Sequence, residues 1–263
     1  MIIGTKRGGT TSLYFDLLDH PATIRLSPPP VPGLKVEPTK GVHYFDSNYF
    51  RGDRWYRSYM PTSAARAVRS RSAGTRVVAG EASPYYLFHP DAARRAHGAV
   101  PDVRIIALLR DPVMRTYSHW KERRRERSED LDFVAALEAE PQRLAGERDR
   151  LVVDPHYLSY AWEQQSYFTQ SLYADALRHW IELFGRDQVL VAASEDYYAR
   201  PDEVLGMMHE FLGLPAHASA PHKHRNAAQG DELPAEVRSM LTERFRLPNK
   251  QLSELTGQSF PWS

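Results

Sequence analysis

A layered α/β fold, in which helices flank a central and mostly parallel sheet, is predicted by three features of the 263-residue sequence. Short apolar runs alternate with helical patterns along the chain, the order that parallel strands joined by helices produce. The run from Val103 to Leu109 is almost unbroken in its apolar character, as a parallel strand buried on both faces must be. The chain also opens on two apolar residues, a glycine-rich basic turn and a hydroxyl-rich helix start, an order suited to holding an anion. With 42% hydrophobic residues this length supports one sizeable core, so a single domain over residues 1–263 is expected.

The opening stretch, GTKRGGTTSLY from Gly4 to Tyr14, organises the rest. Ile2 and Ile3 end a buried strand, and Thr10, Thr11 and Ser12 open a helix running to about Leu18. Unsatisfied N–H groups at a helix start carry partial positive charge, so an anion there gains hydrogen bonds and a favourable dipole. Gly8 and Gly9 let the backbone approach, while Lys6 adds a full charge. A nucleoside triphosphatase loop, G-x-x-x-x-G-K-[ST], needs lysine directly after its second glycine, where this chain has Thr10; the cradle is of another kind.

Five prolines make Ser27 to Thr39 an irregular loop. KGVHYFD, Lys40 to Asp46, alternates like a short strand, and Asn48 to Pro61, with Trp55, Tyr56, Tyr59 and Met60, reads as a half-buried helix. Val77 to Ala79 is a short strand ending in GEASPYYLF, Gly80 to Phe88; a helix follows near Asp91 to Gly98. The strong strand Val103 to Leu109 stops at Arg110-Asp111-Pro112, and a helix runs from Val113 to about Arg127. Open parallel sheets bind ligands at such strand ends. The run KERRRER, Lys121 to Arg127, reads as a solvated helix face, and residues 129–160 as helix plus loop. Ser171 to Phe184 and Pro201 to Leu212 are amphipathic helices around the strand Val189 to Ala193. A last helix is expected near Pro234 to Phe245, after the loop His222 to Asn226.

Composition narrows the function. Lys+Arg 34 against Asp+Glu 33 leaves a charge of +1, so no global field draws in nucleic acid. No apolar run is long enough for stable membrane insertion, and a cytoplasmic protein is expected. Zero cysteines exclude disulfides, thiolate metal sites and cysteine nucleophiles. Eleven histidines show no metal-ligand spacing, and no metal is expected.

Three separated stretches resemble one family. GTKRGGTTSLY resembles the 5′-phosphosulfate loop of PAPS-dependent sulfotransferases, LLRDPVMRTYSHW resembles their 3′-phosphate motif, and the tail from Pro248 resembles the PNK…G…F-W ending of the heparan-sulfate branch. KGVHYFD followed by WYRSYMP is similar to the KEVHFFD…WY…P segment of that branch and its bacterial relatives, and GEASPYYLF to its next strand end. The resemblance runs from Met1 to Trp262 and is weakest between about Leu131 and Gln170. It implies a P-loop-like three-layer fold and transfer of a sulfuryl group from PAPS, without a metal, to a hydroxyl or amine of a glycan or small-metabolite acceptor, releasing PAP. Lys6, Arg7, Gly8, Gly9, Thr10, Thr11 and Ser12 are implied at the donor's 5′ end, Arg110 and Ser118 at its 3′-phosphate, and Lys223, Arg225 and Lys250 around the nucleotide. Lys6 would stabilise charge on the leaving phosphate. Arginine and alanine richness points to a bacterial source.

The relatives' KEVHFF glutamate falls on Gly41, which leaves the base open. His43, two residues on, is the expected base, with Glu81 and Asp46 in reserve. Acceptor contacts are expected from Tyr44, Asp46, Trp55, Tyr85, Tyr86, the proline-rich loop and residues 131–170. A kinase-like nucleotide enzyme and a non-catalytic PAP-binding relative are the alternatives. Oligomeric state has no signature in the sequence.

Overall fold

A computed structural model describes residues 1–26, 40–217 and 232–262. The proline-rich loop Ser27–Thr39, the loop His222–Asn226, and with it Lys223 and Arg225, lie outside the described residues.

The sheet is parallel throughout. Strand β1 (Ile2–Gly4) pairs with β4 (Ile105–Leu109), which pairs in turn with β5 (Val189–Ala193), while β2 (Thr23–Ile24) pairs with β3 (Val78–Ala79). A bridge between Ile2 and Ala82 joins the two parts. All five residues of β4 are at most 1% exposed, which explains their unbroken apolar run.

Alternate strand residues feed opposite layers. Ile3, Ile105, Ala107, Leu109, Val191 and Ala193 point to one core, with α4 (Ala92–Ala99), α9 (Tyr173–Phe184) and α12 (Ala235–Thr256) supplying Ala96, Leu177, Trp180 and Leu252. Ile2, Ile106, Leu108 and Ala192 point to the other, closed by Leu13 and Leu17 of α1 (Thr10–Leu18) and Val204, Leu205 and Met208 of α11 (Pro201–Leu212). This is the expected α/β arrangement of helix, sheet and helix. Among the described residues no helix is long and apolar enough to cross a membrane.

Several expectations need correction. Lys40 to Asp46 is no strand. The N–H groups of a ladder are claimed here by side chains: Val42 donates to the Glu81 carboxylate (2.8 Å), His43 to Ser83 Oγ (3.0 Å) and Tyr44 to the Tyr86 hydroxyl (2.7 Å). The expected helix Asn48–Pro61 is broken at Gly52, whose φ of 78° separates a single 3-10 turn (Tyr49–Arg51) from α2 (Asp53–Ser58). A further helix, α3 (Ser63–Ala73), is capped by the Thr62 hydroxyl and ends at Gly74. Residues 129–160 hold α6 (Phe133–Leu144) and α7 (Glu147–Val153), and α8 (Tyr160–Gln164) follows. The last helix continues well beyond Phe245, through Pro248, to Thr256. In KERRRER only the second half is a solvated face, since Glu122 and Arg123 fold inward beside the opening loop.

Candidate active site

Because β1 and β4 are neighbours, the turn after each emerges at the same carboxyl edge of the sheet. The β1–α1 turn is held from below: Thr5 N–H donates to Leu108 O (2.8 Å), Gly8 N–H turns back to Thr5 O (3.0 Å), and the Ser194 hydroxyl donates to Gly8 O. A Cβ at Gly8 would lie 2.8 Å from Leu108 O, and Gly9, with φ of 90°, would place one 2.5 Å from the Tyr198 hydroxyl. Both glycines are therefore demanded by close approach, and Gly9 also by its backbone angle.

The first bond of α1 runs from Leu13 N–H to Gly9 O (3.2 Å), leaving the amides of Thr10, Thr11 and Ser12 ahead of it. Ser12 Oγ is buried and has no partner among the described residues. Lys40 Nζ donates to Thr11 Oγ1 at 2.6 Å, and burial holds its pKa below the usual lysine value. This second cation was not singled out in the sequence. The signal was present as the lysine shared by KGVHYFD and KEVHFFD.

Arg110 and Ser118, expected at the 3′-phosphate, come together with Arg7, which was expected at the donor's 5′ end. Arg110 Nη1 donates to Arg7 O (3.2 Å), and Arg7 Nε donates to Ser118 Oγ (3.1 Å) while its Nη1 pairs with Glu122. The frame is α5 (Pro112–Arg125), started by Pro112 and capped by the Asp111 carboxylate on Val113 N–H (2.9 Å). The Tyr173 hydroxyl donates to Arg110 O (2.8 Å) and fixes the strand end. An orphaned buried hydroxyl, free helix-start amides, one lysine and two arginines at one edge form a donor set that fits a multiply charged phosphate ester.

Lys6 leaves this edge toward α8. Its Nζ donates to Gln164 Oε1 (3.0 Å) and Glu163 Oε1 (3.3 Å), above the Tyr85 ring at 6.0 Å from the centroid. Burial lowers its pKa below the usual 10.5, and the Glu163 charge offsets part of that.

His43 takes a positive φ of 51°, and its Nδ1 lies 2.8 Å from Asp46 Oδ2. The His43 side chain is 39% exposed, whereas that of Asp46 is fully buried behind it. Nδ1–H thus donates to the carboxylate and Nε2 keeps its lone pair. Burial pulls the imidazole pKa down, but the Asp46 hydrogen bond and charge, helped by Glu163 and Glu81, carry it above 6.5.

The remaining candidates lie elsewhere. Glu81 is 2% exposed, and its carboxylate is occupied by Val42 N–H, the Ser83 hydroxyl (2.8 Å each) and the Tyr86 hydroxyl (3.3 Å). Burial raises its pKa, with the Val42 and Ser83 hydrogen bonds opposing. It is a strut for the His43 segment, and Asp46 is the support of His43; both carboxylates are buried. Tyr44 and Tyr86 are core residues at 1% and 0% exposure, Tyr44 stacking on Tyr56 at 4.8 Å and donating to Asp53. Trp55 packs against the same core. Tyr85 is 3% exposed beneath Lys6. Lys250 is exposed on α12, 3.8 Å from Glu254, and no hydrogen bond or ion pair among the described residues joins it to the β1–α1 turn.

Position 41 has no room for the glutamate of the KEVHFF pattern. A Cβ on Gly41 would lie 2.3 Å from Ala82 O and 2.7 Å from Ser83 Oγ, so no side chain fits this backbone. Gly41→Ala is expected to cost about 1–3 kcal/mol by overpacking, measured as a drop in urea midpoint.

Fold and site together define an α/β domain with a basic, amide-rich donor set at the carboxyl edge of a parallel sheet. The family model described as the sulfotransferase domain matches residues 1–233. The chain is 27% identical over 286 residues to human heparan sulfate glucosamine 3-O-sulfotransferase 6, a match covering all of this chain and 72% of that protein. It is 24% identical over 328 residues to the membrane-associated sulfotransferase kil1 of Dictyostelium discoideum, covering all of this chain and 66% of that one. The chain thus spans about two thirds to three quarters of the length of these relatives. The crystal structure of a sulfotransferase from Alicyclobacillus acidocaldarius superposes with a TM-score of 0.67 at 26% identity, covering 99% of this chain and 96% of that one. The chain belongs to the sulfotransferase domain family, a family of transferases that use sulfate donors.

Proposed function

We propose that this domain transfers the sulfuryl group of PAPS to a hydroxyl or amine of a carbohydrate or small-metabolite acceptor, with His43 as general base. The observation that carries the reading is the gathering of Arg7, Arg110 and Ser118 beside the β1–α1 turn that also bears Lys6. The carbohydrate alternative follows the human relative, a heparan sulfate glucosamine 3-O-sulfotransferase.

Amides and hydroxyls of Thr10, Thr11 and Ser12 would hold the 5′ end of PAPS, with Lys6 and Lys40, and Arg110, Arg7 and Ser118 its 3′-phosphate. When bound, the donor supplies the sulfuryl group and leaves as PAP. Lys6 places a preorganised charge where negative charge grows on the leaving oxygen, which stabilises the transition state more than the ground state. His43 Nε2 takes the acceptor's proton, and Asp46 keeps the ring in that tautomer and stabilises the imidazolium. Lys223, Arg225 and Lys250 are proposed as further contacts to the nucleotide.

The test is thermal unfolding with PAP, ADP, and ATP with or without magnesium. A ligand that binds only the folded state stabilises by about 2.7 kcal/mol at a hundredfold excess over Kd. PAP is expected to raise Tm without a metal, and ADP much less. A shift confined to ATP with magnesium would overturn the reading in favour of a kinase-like enzyme.

A further inference from the structure

We propose that Glu163 reads the acceptor, and that the acceptor is neutral or amine-bearing around its reacting group instead of polyanionic. This rests on the sulfotransfer reading above and narrows it.

Glu163, in the last turn of α8, lies beside a group assigned to chemistry: its Oε1 is 3.3 Å from Lys6 Nζ, where its charge opposes the lowering of the lysine pKa by burial. It is also held in place. Gln164 Nε2 donates to Oε1 (2.8 Å), and Gln170 Nε2 donates to the Glu163 carbonyl (2.8 Å). Gln170 is in turn fixed by the fully buried Arg115, whose Nη1 donates to Gln170 Oε1 (3.2 Å). By contrast Oε2 accepts no hydrogen bond among the described residues, and the side chain is 30% exposed. A fixed carboxylate with one free oxygen at the mouth of a site is an acceptor of hydrogen bonds from hydroxyl or ammonium groups.

Charge on the two sides of the site differs in sign. The cations cluster toward the β1–α1 turn: Lys40 on Thr11, Arg7 on Ser118, Arg110 on Arg7 O, and Arg123 against Glu122 and Glu126. The donor's phosphates match them. On the acceptor side stand Glu163 and the His43–Asp46 pair, which is anionic as long as the imidazole is neutral. An acceptor carboxylate or sulfate beside the Glu163 Oε2 is therefore disfavoured by about 10-fold relative to a neutral group, the Lys6 ammonium on Oε1 offsetting part of the repulsion, and an ammonium is favoured.

The experiment is saturation-transfer NMR on PAP-saturated full-length chain with methyl glucosaminide, methyl glucoside and methyl glucuronide, for the parent, Glu163→Gln and Glu163→Lys. The parent is expected to bind the glucosaminide at least about 10-fold more tightly than the glucuronide, Glu163→Gln to bring the ratio near unity, and Glu163→Lys to reverse it. PAP affinity, measured first by titration, is expected to be kept or increased in Glu163→Gln, since Lys6 loses its competing partner. Equal ratios in parent and Glu163→Gln, or binding of none of the three sugars, overturn the proposal. Lost PAP affinity in Glu163→Gln also overturns it by making Glu163 a structural support. Failure of the parent itself to bind PAP overturns the donor assignment, and is seen before any sugar is added.

Discussion

Replacing His43 with alanine is expected to lower turnover by about 100- to 10,000-fold while PAP binding is retained. The two readouts separate because the histidine lies on the acceptor side: its Nδ1 is spent on Asp46, and no residue of the β1–α1 turn bonds to it. The pH profile gives an independent check. Activity needs the neutral ring, and its pKa is raised above 6.5, so kcat/KM is low in acid and climbs as pH rises through that raised value. Asp46→Asn removes the contact that raises it and leaves the burial that lowers it. The acid limb should then move to lower pH, and turnover should fall because the ring loses its tautomer control. A full rate in His43→Ala, or an acid limb unmoved in Asp46→Asn, would sink the base assignment.

What the sequence made legible follows from where its information is local. β5 and α11 have the bounds that the apolar run Val189–Ala193 and the amphipathic stretch Pro201–Leu212 predict, since a buried strand and a two-faced helix are written in their own periods. Lys40–Asp46 carries the same kind of alternation but is not a strand. Its amides are bound by Glu81, Ser83 and Tyr86, some forty residues away in sequence, and no local pattern announces that.

The candidate site divides in the same way. The gathering of the basic turn, Arg110 and Ser118 was legible, because glycine spacing, Arg110 at a strand end and Ser118 two turns along α5 are local signals. Lys40 and Glu163 were passed over, since their contacts with Thr11 and Lys6 span 29 and 157 residues. The tyrosines expected at the acceptor proved to be core because an aromatic run reads alike in a wall and in a ligand cage; only packing, such as Tyr44 on Tyr56, decides. Asp46 could have been read as the partner of His43 from its three-residue spacing alone.

Lys6→Ala is expected to lower kcat by about 100- to 1,000-fold, the usual effect of deleting one preorganised group that meets developing charge. The loss should fall on kcat more than on PAP affinity, because Arg7, Arg110 and the helix-start amides keep their hold when Lys6 is gone. Lys40 does not replace it: its Nζ is committed to Thr11 at 2.6 Å. Burial sets the Lys6 pKa below 10.5, so the parent's activity should fall again in alkali, beginning below that value, as the ammonium is lost. Together with the His43 limb this gives a bell-shaped profile whose alkaline side belongs to a cation and whose acid side belongs to a base. Lys6→Arg tests the same argument with the charge kept. Its guanidinium does not titrate in this range, so the alkaline limb should move up or vanish even though the longer, planar side chain cannot reproduce the lysine contacts to Glu163 and Gln164. An alkaline limb unchanged in Lys6→Arg, or a kcat unchanged in Lys6→Ala, would remove Lys6 from the chemistry and leave it as a tether between the β1–α1 turn and α8.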